Sequence, residues 1–236
     1  MTGTVVMIHG AGGGGWEWNV WRGVFEAEDF EVLAPDLMPV GGGIAATRFE
    51  DYAAQVARLA GAGDVLVGAS LGGLLALACA QALRPAALVL VNALPPAPWH
   101  SMLPAREAYP AVIPWGSDAT LAGTRKAMPD SDDAACLYAF RRWRDESGAV
   151  MNAARGGVVV ERPGCPVLVF ASELDTDVPV AASAALADAY AASLIRVAAA
   201  SHVGPLLGDS APHCASQALA WLRSAISSPP ALAETL

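Results

Sequence analysis

One serine framed by glycines, in Gly68-Ala69-Ser70-Leu71-Gly72-Gly73, is the residue of this chain best placed to do chemistry. It follows the apolar run Val65-Leu66-Val67 and leads into Leu74-Leu75-Ala76-Leu77-Ala78, a pattern that reads as strand, sharp turn and buried helix. A serine at such a turn takes up a strained backbone conformation. Its neighbours two before and two after must then lack side chains, as Gly68 and Gly72 do. The turn lifts the hydroxyl off the sheet and leaves the N–H of Leu71 free at a helix N-terminus, where a developing negative charge is stabilised. The chemistry on offer is nucleophilic attack on a carbonyl, with half an oxyanion hole supplied by the same turn.

A serine hydroxyl needs a base, and the base needs a third group to fix its tautomer. Of four histidines, His9 belongs to a glycine loop, His100 to a proline-rich stretch, and His213 to the first turn of a terminal helix. His202 alone falls in a loop directly after an expected parallel strand, the edge where sites of open α/β sheets gather. Glu173, Asp175 and Asp177 follow another such strand. Asp175 is the expected acid, since Asp177 is better placed to cap the helix after Val178-Pro179. The order Ser70, Asp175, His202, each behind a different strand, is more specific than any one motif. After the first strand, His9-Gly10-Ala11-Gly12-Gly13-Gly14-Gly15 lacks the Lys-Ser/Thr of a phosphate loop. It is expected to lie beside Ser70, offering the N–H of Ala11 as second oxyanion donor, with His9 holding the loop by hydrogen bonds.

The elements that position these residues are legible as alternating strand and helix segments. Apolar runs at 4–8, 30–34, 65–69, 87–91, 166–171 and 194–197 alternate with helix-length segments, the sign of a parallel sheet of about six strands. Helices are expected at 16–28, with Trp16, Val20, Val24 and Phe25 on one stripe, and up to residue 59, with Phe49, Tyr52, Val56 and Leu59 inward and Thr47 as cap. Others are expected at 180–192 and 211–226. The loop 38–47 is expected at the rim of the site. The alternation stops between 94 and 164, read as a mainly helical cap with helices at 118–128 and 132–147. The organisation is therefore core 1–93, cap 94–164, core 165–226 and a C-terminal tail 227–236. Gly10 and the aromatics Trp99, Trp115 and Tyr138 are expected to line the substrate pocket.

Composition narrows the partners. The net charge of −9, with 14 Lys plus Arg, disfavours nucleic acid, and Arg141-Arg142-Trp143-Arg144 reads as a solvated helix face. No apolar run is long enough to span a bilayer. Met1 to Thr4 leads into Val5 without a basic n-region, so a cytoplasmic location is expected. The four cysteines show no ligand spacing and are expected reduced and mostly buried. Neither cofactor nor metal is expected.

The chain resembles the α/β-hydrolase superfamily, in particular its small esterases, methyl esterases and hydroxynitrile lyases. The resemblance rests on His9-Gly10 with the glycine loop and Trp16, Ala34-Pro35-Asp36-Leu37, Gly68 to Gly73, Glu173-Leu174-Asp175 and His202. It implies an α/β-hydrolase fold with Ser70 as nucleophile, His202 as base, Asp175 as acid, and Ala11 and Leu71 as oxyanion donors. The departures are Ala69 before the serine, Ala171 in place of a glycine, and a segment after Asp36 without the usual Pro-Gly-His-Gly turn. The expected activity is hydrolysis of a small to medium carboxylic ester or thioester by a monomer or homodimer. The alternatives are a triad-using lyase or polyketide-pathway cyclase, for which Arg106, Arg125 and Lys126 are the candidate cations, and a non-catalytic small-molecule receptor.

Overall fold

The computed structural model describes residues 3–227. Six parallel strands form one sheet in the order β2-β1-β3-β4-β7-β8, from β1 (Thr4–Ile8), β2 (Glu31–Leu33), β3 (Val65–Ala69), β4 (Ala87–Val91), β7 (Val167–Ser172) and β8 (Ser193–Val197). The order reverses between β1 and β3, where open α/β sheets place their ligands. Because side chains alternate across a strand, each central strand feeds two cores. Val6, Ile8, Leu66, Leu88, Leu90 and Val169 face one layer; Val5, Met7, Val67, Val89 and Phe170 face the other.

The first layer is covered by α2 (Phe49–Leu59), α3 (Leu71–Leu83) and α7 (Val180–Tyr190), the second by α1 (Asn19–Glu26) and α9 (Ala211–Ser227). The buried stripe is Trp18, just before α1, with Trp21 and Phe25 on it, while Val20 is exposed. A 3₁₀ turn over Gly15–Trp18 advances three residues per turn and rotates the face away from the expected Trp16–Val20 phase. On α2, Phe49, Tyr52 and Val56 point inward but Leu59 is exposed. Thr47 does not cap it: Asp51 accepts the Arg48 N–H, while Thr47 accepts from Val40 N–H and donates to the Gly43 carbonyl. The loop 38–47 is thereby folded onto α2, helped by Gln55, which bonds both Met38 N–H and Met38 C=O.

Between β4 and β7 the chain forms a cap. A two-residue ladder joins β5 (Val112–Ile113) and β6 (Glu146–Ser147), and the helices are α4 (Leu121–Ala127), α5 (Asp133–Phe140) and α6 (Gly148–Gly157). The expected helix over 132–147 thus ends at Phe140. Asp145 accepts the N–H groups of Gly116 and Ser117, fixing an extended approach to β6, and Ser147 caps α6. The short α8 (Gly204–Leu207) precedes α9. All four cysteines are free thiols, three of them buried. Among the described residues no helix is long and apolar enough to cross a membrane. The tail expected from 227 lies, after Ser227, outside the described residues.

Candidate active site

Ser70 closes the turn between β3 and α3 with φ 50° and ψ −118°, a strained conformation for a residue with a side chain. Space rather than sheet pairing demands its flanking glycines. A Cβ on Gly68 would lie 2.4 Å from Gly72 O, and one on Gly72 would lie 2.1 Å from Ile8 O, at the end of β1. The turn is pinned from outside as well. Ser70 N–H bonds Val91 O at 3.0 Å, and Leu94 N–H bonds Ser70 O at 3.0 Å. Leu71 opens α3, so its N–H has no partner within the helix.

His202 Nδ1 and Asp175 Oδ2 are 2.7 Å apart, with the Asp175 side chain fully buried. The other Asp175 oxygen accepts the N–H groups of Asp177 and Val178. Both oxygens of the carboxylate are therefore engaged. Asp177 does not cap α7: it is half exposed and meets Arg106 at 3.5 Å. The donor atoms of Asp175, Asp177 and His202 lie within 4.8 Å of one another. A cation there would compete with the His202 bond that Asp175 already makes. Burial pushes His202 down, but the hydrogen bond and charge of Asp175, joined by Asp177 and Glu17, outweigh it and hold the imidazole above its ordinary value.

Two further residues hold the histidine loop. Asn92, at the end of β4 with φ 45°, donates to Ser172 Oγ and to the His202 carbonyl and accepts Ser172 N–H. Asp130, from the cap, accepts Ser201 N–H at 2.9 Å.

The glycine loop runs from the end of β1 to the 3₁₀ turn. His9 Nε2 accepts Leu37 N–H at 2.9 Å, which places the proton on Nδ1 for the 2.7 Å bond to Gly10 O. Burial drives His9 down to about 4, with the Gly10 bond opposing, so the ring stays neutral and structural. Three carboxyl groups fix the loop: Glu17 accepts Gly10 N–H, Glu146 accepts Gly12 N–H, and Asp36 accepts Gly15 N–H. Arg144, read from sequence as part of a solvated face, instead reaches inward, donating to Gly13 O at 2.6 Å while its backbone N–H bonds Gly12 O at 2.8 Å.

A cavity of about 620 Å³ opens above the serine. Ser70, His202, Ala11, Trp115 and Arg106 line it, with Leu94, Ile113, Met151 and Trp143 giving mostly apolar walls. Gly10 lines only a small cavity behind Ser70. Trp99 and Tyr138 fall outside the lining. Trp99 packs edge-on against Tyr190, and Tyr138 accepts from Asn19 and lies under the Arg142 guanidinium. The loop 38–47 contributes nothing to the main cavity's lining. Of the candidate cations only Arg106 lines it; Arg125 pairs with Asp133 on the surface. The arrangement brings the Ser70 hydroxyl and the Asp175-bound imidazole of His202 to one cavity with Ala11, a set of groups that can support base-assisted nucleophilic attack.

No curated protein sequence matches the chain. Among solved structures, a pyrethroid hydrolase from Sphingobium faniae JZ-2 is 21% identical, with a TM-score of 0.71, over 95% of this chain and 98% of that one. Polyneuridine aldehyde esterase is 16% identical at 0.69 over 93% and 100%, and an esterase from Thermogutta terrifontis is 19% identical at 0.69 over 95% and 91%. These likenesses establish a shared fold. The model of the alpha/beta hydrolase family matches residues 5–213, nearly the whole of the sheet and cap described above, and the chain belongs to that family.

Proposed function

We propose that the protein is a serine hydrolase that cleaves a carboxylic ester or thioester of small to medium size through an acyl-enzyme. The observation that carries this reading is the convergence of the strained Ser70 and the Asp175-bound His202 on one apolar-walled cavity. In the first half-reaction Ser70 Oγ attacks the carbonyl carbon and passes its proton to His202 Nε2, the nitrogen opposite the Asp175 bond. Ala11 and Leu71 N–H groups hold the oxyanion. His202 then protonates the departing alcohol or thiol, and in the second half the same base activates water to release the acid.

The apolar walls suit a hydrocarbon-rich acyl or alcohol group and bury it with few polar demands. Ser70→Ala tests the assignment: p-nitrophenyl ester hydrolysis and fluorophosphonate labelling should both vanish, to about 10⁻³ or less of wild type. Retained turnover would remove Ser70 from the mechanism.

A further inference from the structure

Glu17 is a carboxylic acid buried where the proposed mechanism makes no use of it. It lies on the 3₁₀ turn after the glycine loop, is 4% exposed, and accepts Gly10 N–H at 3.1 Å through Oε2. Its carboxyl helps enclose a second cavity, of about 50 Å³, behind the serine, together with Gly10, Ala11, Ser70, His202 and Trp143. The fit is close. A Cβ on Gly10 would lie 3.4 Å from Ser70 Cβ and 4.0 Å from Glu17 Oε2, and one on Gly13 would lie 2.3 Å from that same oxygen. Serine and acid therefore flank one glycine, the residue before the expected oxyanion donor Ala11.

The charged and titratable groups that face Glu17 come from four other elements. They are His202 from the loop after β8, Arg144 from the cap, Asp36 from the loop after β2, and His9 at the end of β1. His9 is neutral, and Arg144 is engaged by Gly13 O, His9 and Asp36. Among the described residues no cation hydrogen-bonds the Glu17 carboxyl, although His202 and Arg144 act on it through space.

We propose that Glu17 is a positioning residue that functions as the neutral acid: protonated, it holds the His9–Gly10 peptide that leads into Ala11 and its oxyanion N–H; ionised, it places a negative charge beside that oxyanion and switches Ser70 off. The inference rests on the hydrolase reading above. Ionised Glu17 would also favour the imidazolium of His202, an effect opposite in sign. The oxyanion term wins because the imidazolium already has Asp175 at 2.7 Å as counter-charge, whereas the oxyanion has only neutral N–H donors.

Burial favours the neutral form, raising Glu17 to about 8, against the opposing pull of the Gly10 bond, His202 and Arg144 and with some help from Asp36. The sign for stability follows from proton counts. Between the ordinary value of 4.5 and about 8 the folded chain holds one proton more than the unfolded chain, so the stability tied to this proton is complete below 4.5 and is lost as pH rises through about 8.

The test uses the full chain and Glu17→Gln, which keeps an acceptor oxygen for Gly10 N–H and cannot ionise. Fluorophosphonate labelling of Ser70 is followed from pH 5.5 to 10, and urea denaturation at pH 5 and 9. Wild-type labelling should rise with His202 deprotonation and then fall by about tenfold or more through a second step near 8. The variant should rise and stay level, and its stability relative to wild type should be greater at pH 9 than at pH 5. Should the variant fail to fold, the wild-type descending limb must coincide with titration of the Glu17 ¹³C carboxyl resonance.

A wild-type profile level up to pH 10, or the same descending limb in Glu17→Gln, would overturn the inference while leaving the hydrolase reading intact. Absence of Ser70 labelling at every pH in both proteins would overturn the hydrolase reading, and the inference with it.

Discussion

Gly72→Ala adds one methyl group between the two halves of the proposed oxyanion hole. The new Cβ would lie 2.1 Å from Ile8 O and 2.5 Å from His9 O, both backbone atoms at the end of β1. Reaching 3.0 Å, the shortest separation real Cβ atoms tolerate, requires the first turn of α3 to move about 0.9 Å away from β1. No flexible side chain can absorb that movement. Leu71 lies on one side of the gap and Ala11 on the other, so the two N–H groups would separate by nearly the same amount. A misplacement of about 1 Å at reacting groups costs roughly 10²-fold, and overpacking a close backbone crossing costs about 1–3 kcal/mol of stability.

The assay is kcat/KM on a p-nitrophenyl ester and the fluorophosphonate labelling rate, with urea denaturation of the same samples. Gly23→Ala is the matched control, since a Cβ there meets nothing within 4 Å and Gly23 lies inside α1. It should gain about 0.5–1 kcal/mol from helix propensity. If Gly72→Ala keeps kcat/KM within threefold of wild type at unchanged stability, the close crossing of α3 over β1 does not set the oxyanion geometry.

Asp175→Asn should lower kcat by about 10⁴-fold in stopped-flow or endpoint ester assays, because the imidazole loses the partner that sets its tautomer. Since Asp175 holds His202 above 6.5 and only the neutral imidazole accepts a proton, wild-type activity should rise with pH through a midpoint above 6.5. In Asp175→Asn that rising limb should move to lower pH. Glu146→Ala would strip partners from the buried Gly12 N–H, Ser147 N–H and Tyr52 hydroxyl, which Glu146 accepts at 3.1, 2.7 and 3.0 Å. A loss of roughly 2–4 kcal/mol in urea denaturation is expected, with slower labelling of Ser70 as the glycine loop loosens.

The sheet was legible because each strand is a short apolar run bounded by turn residues, and the candidate site because Ser70, Asp175 and His202 each follow a strand end. What escaped were side chains whose partners lie far off in sequence. Glu146 meets Gly12 across 134 positions, and Arg144 meets His9 across 135. Within the run Arg141 to Glu146, a basic block followed at once by two acids gives the local signature of a solvated helix, and the end of α5 at Phe140 and the ladder to Val112–Ile113 redirect it inward. Glu17, between two tryptophans, carried no periodicity of its own. The aromatics were misplaced for a related reason: Trp99 and Tyr138 have the size and polarity of pocket walls, but Tyr190 and Asn19 cover them first. Asn92 and Asp130 could have drawn notice only as polar residues at abrupt ends of apolar segments.

The ties from Arg144 and Glu146 to the glycine loop, and from Asp130 to the loop bearing His202, bear on how specificity can be altered in this chain. The inserted segment braces both loops that flank Ser70, so it is not a replaceable cover over a finished machine. Exchanging it wholesale for another hydrolase's insertion would withdraw those braces together. Changing side chains such as Ile113 and Met151, which face the cavity, alters what fits there while the braces stay in place.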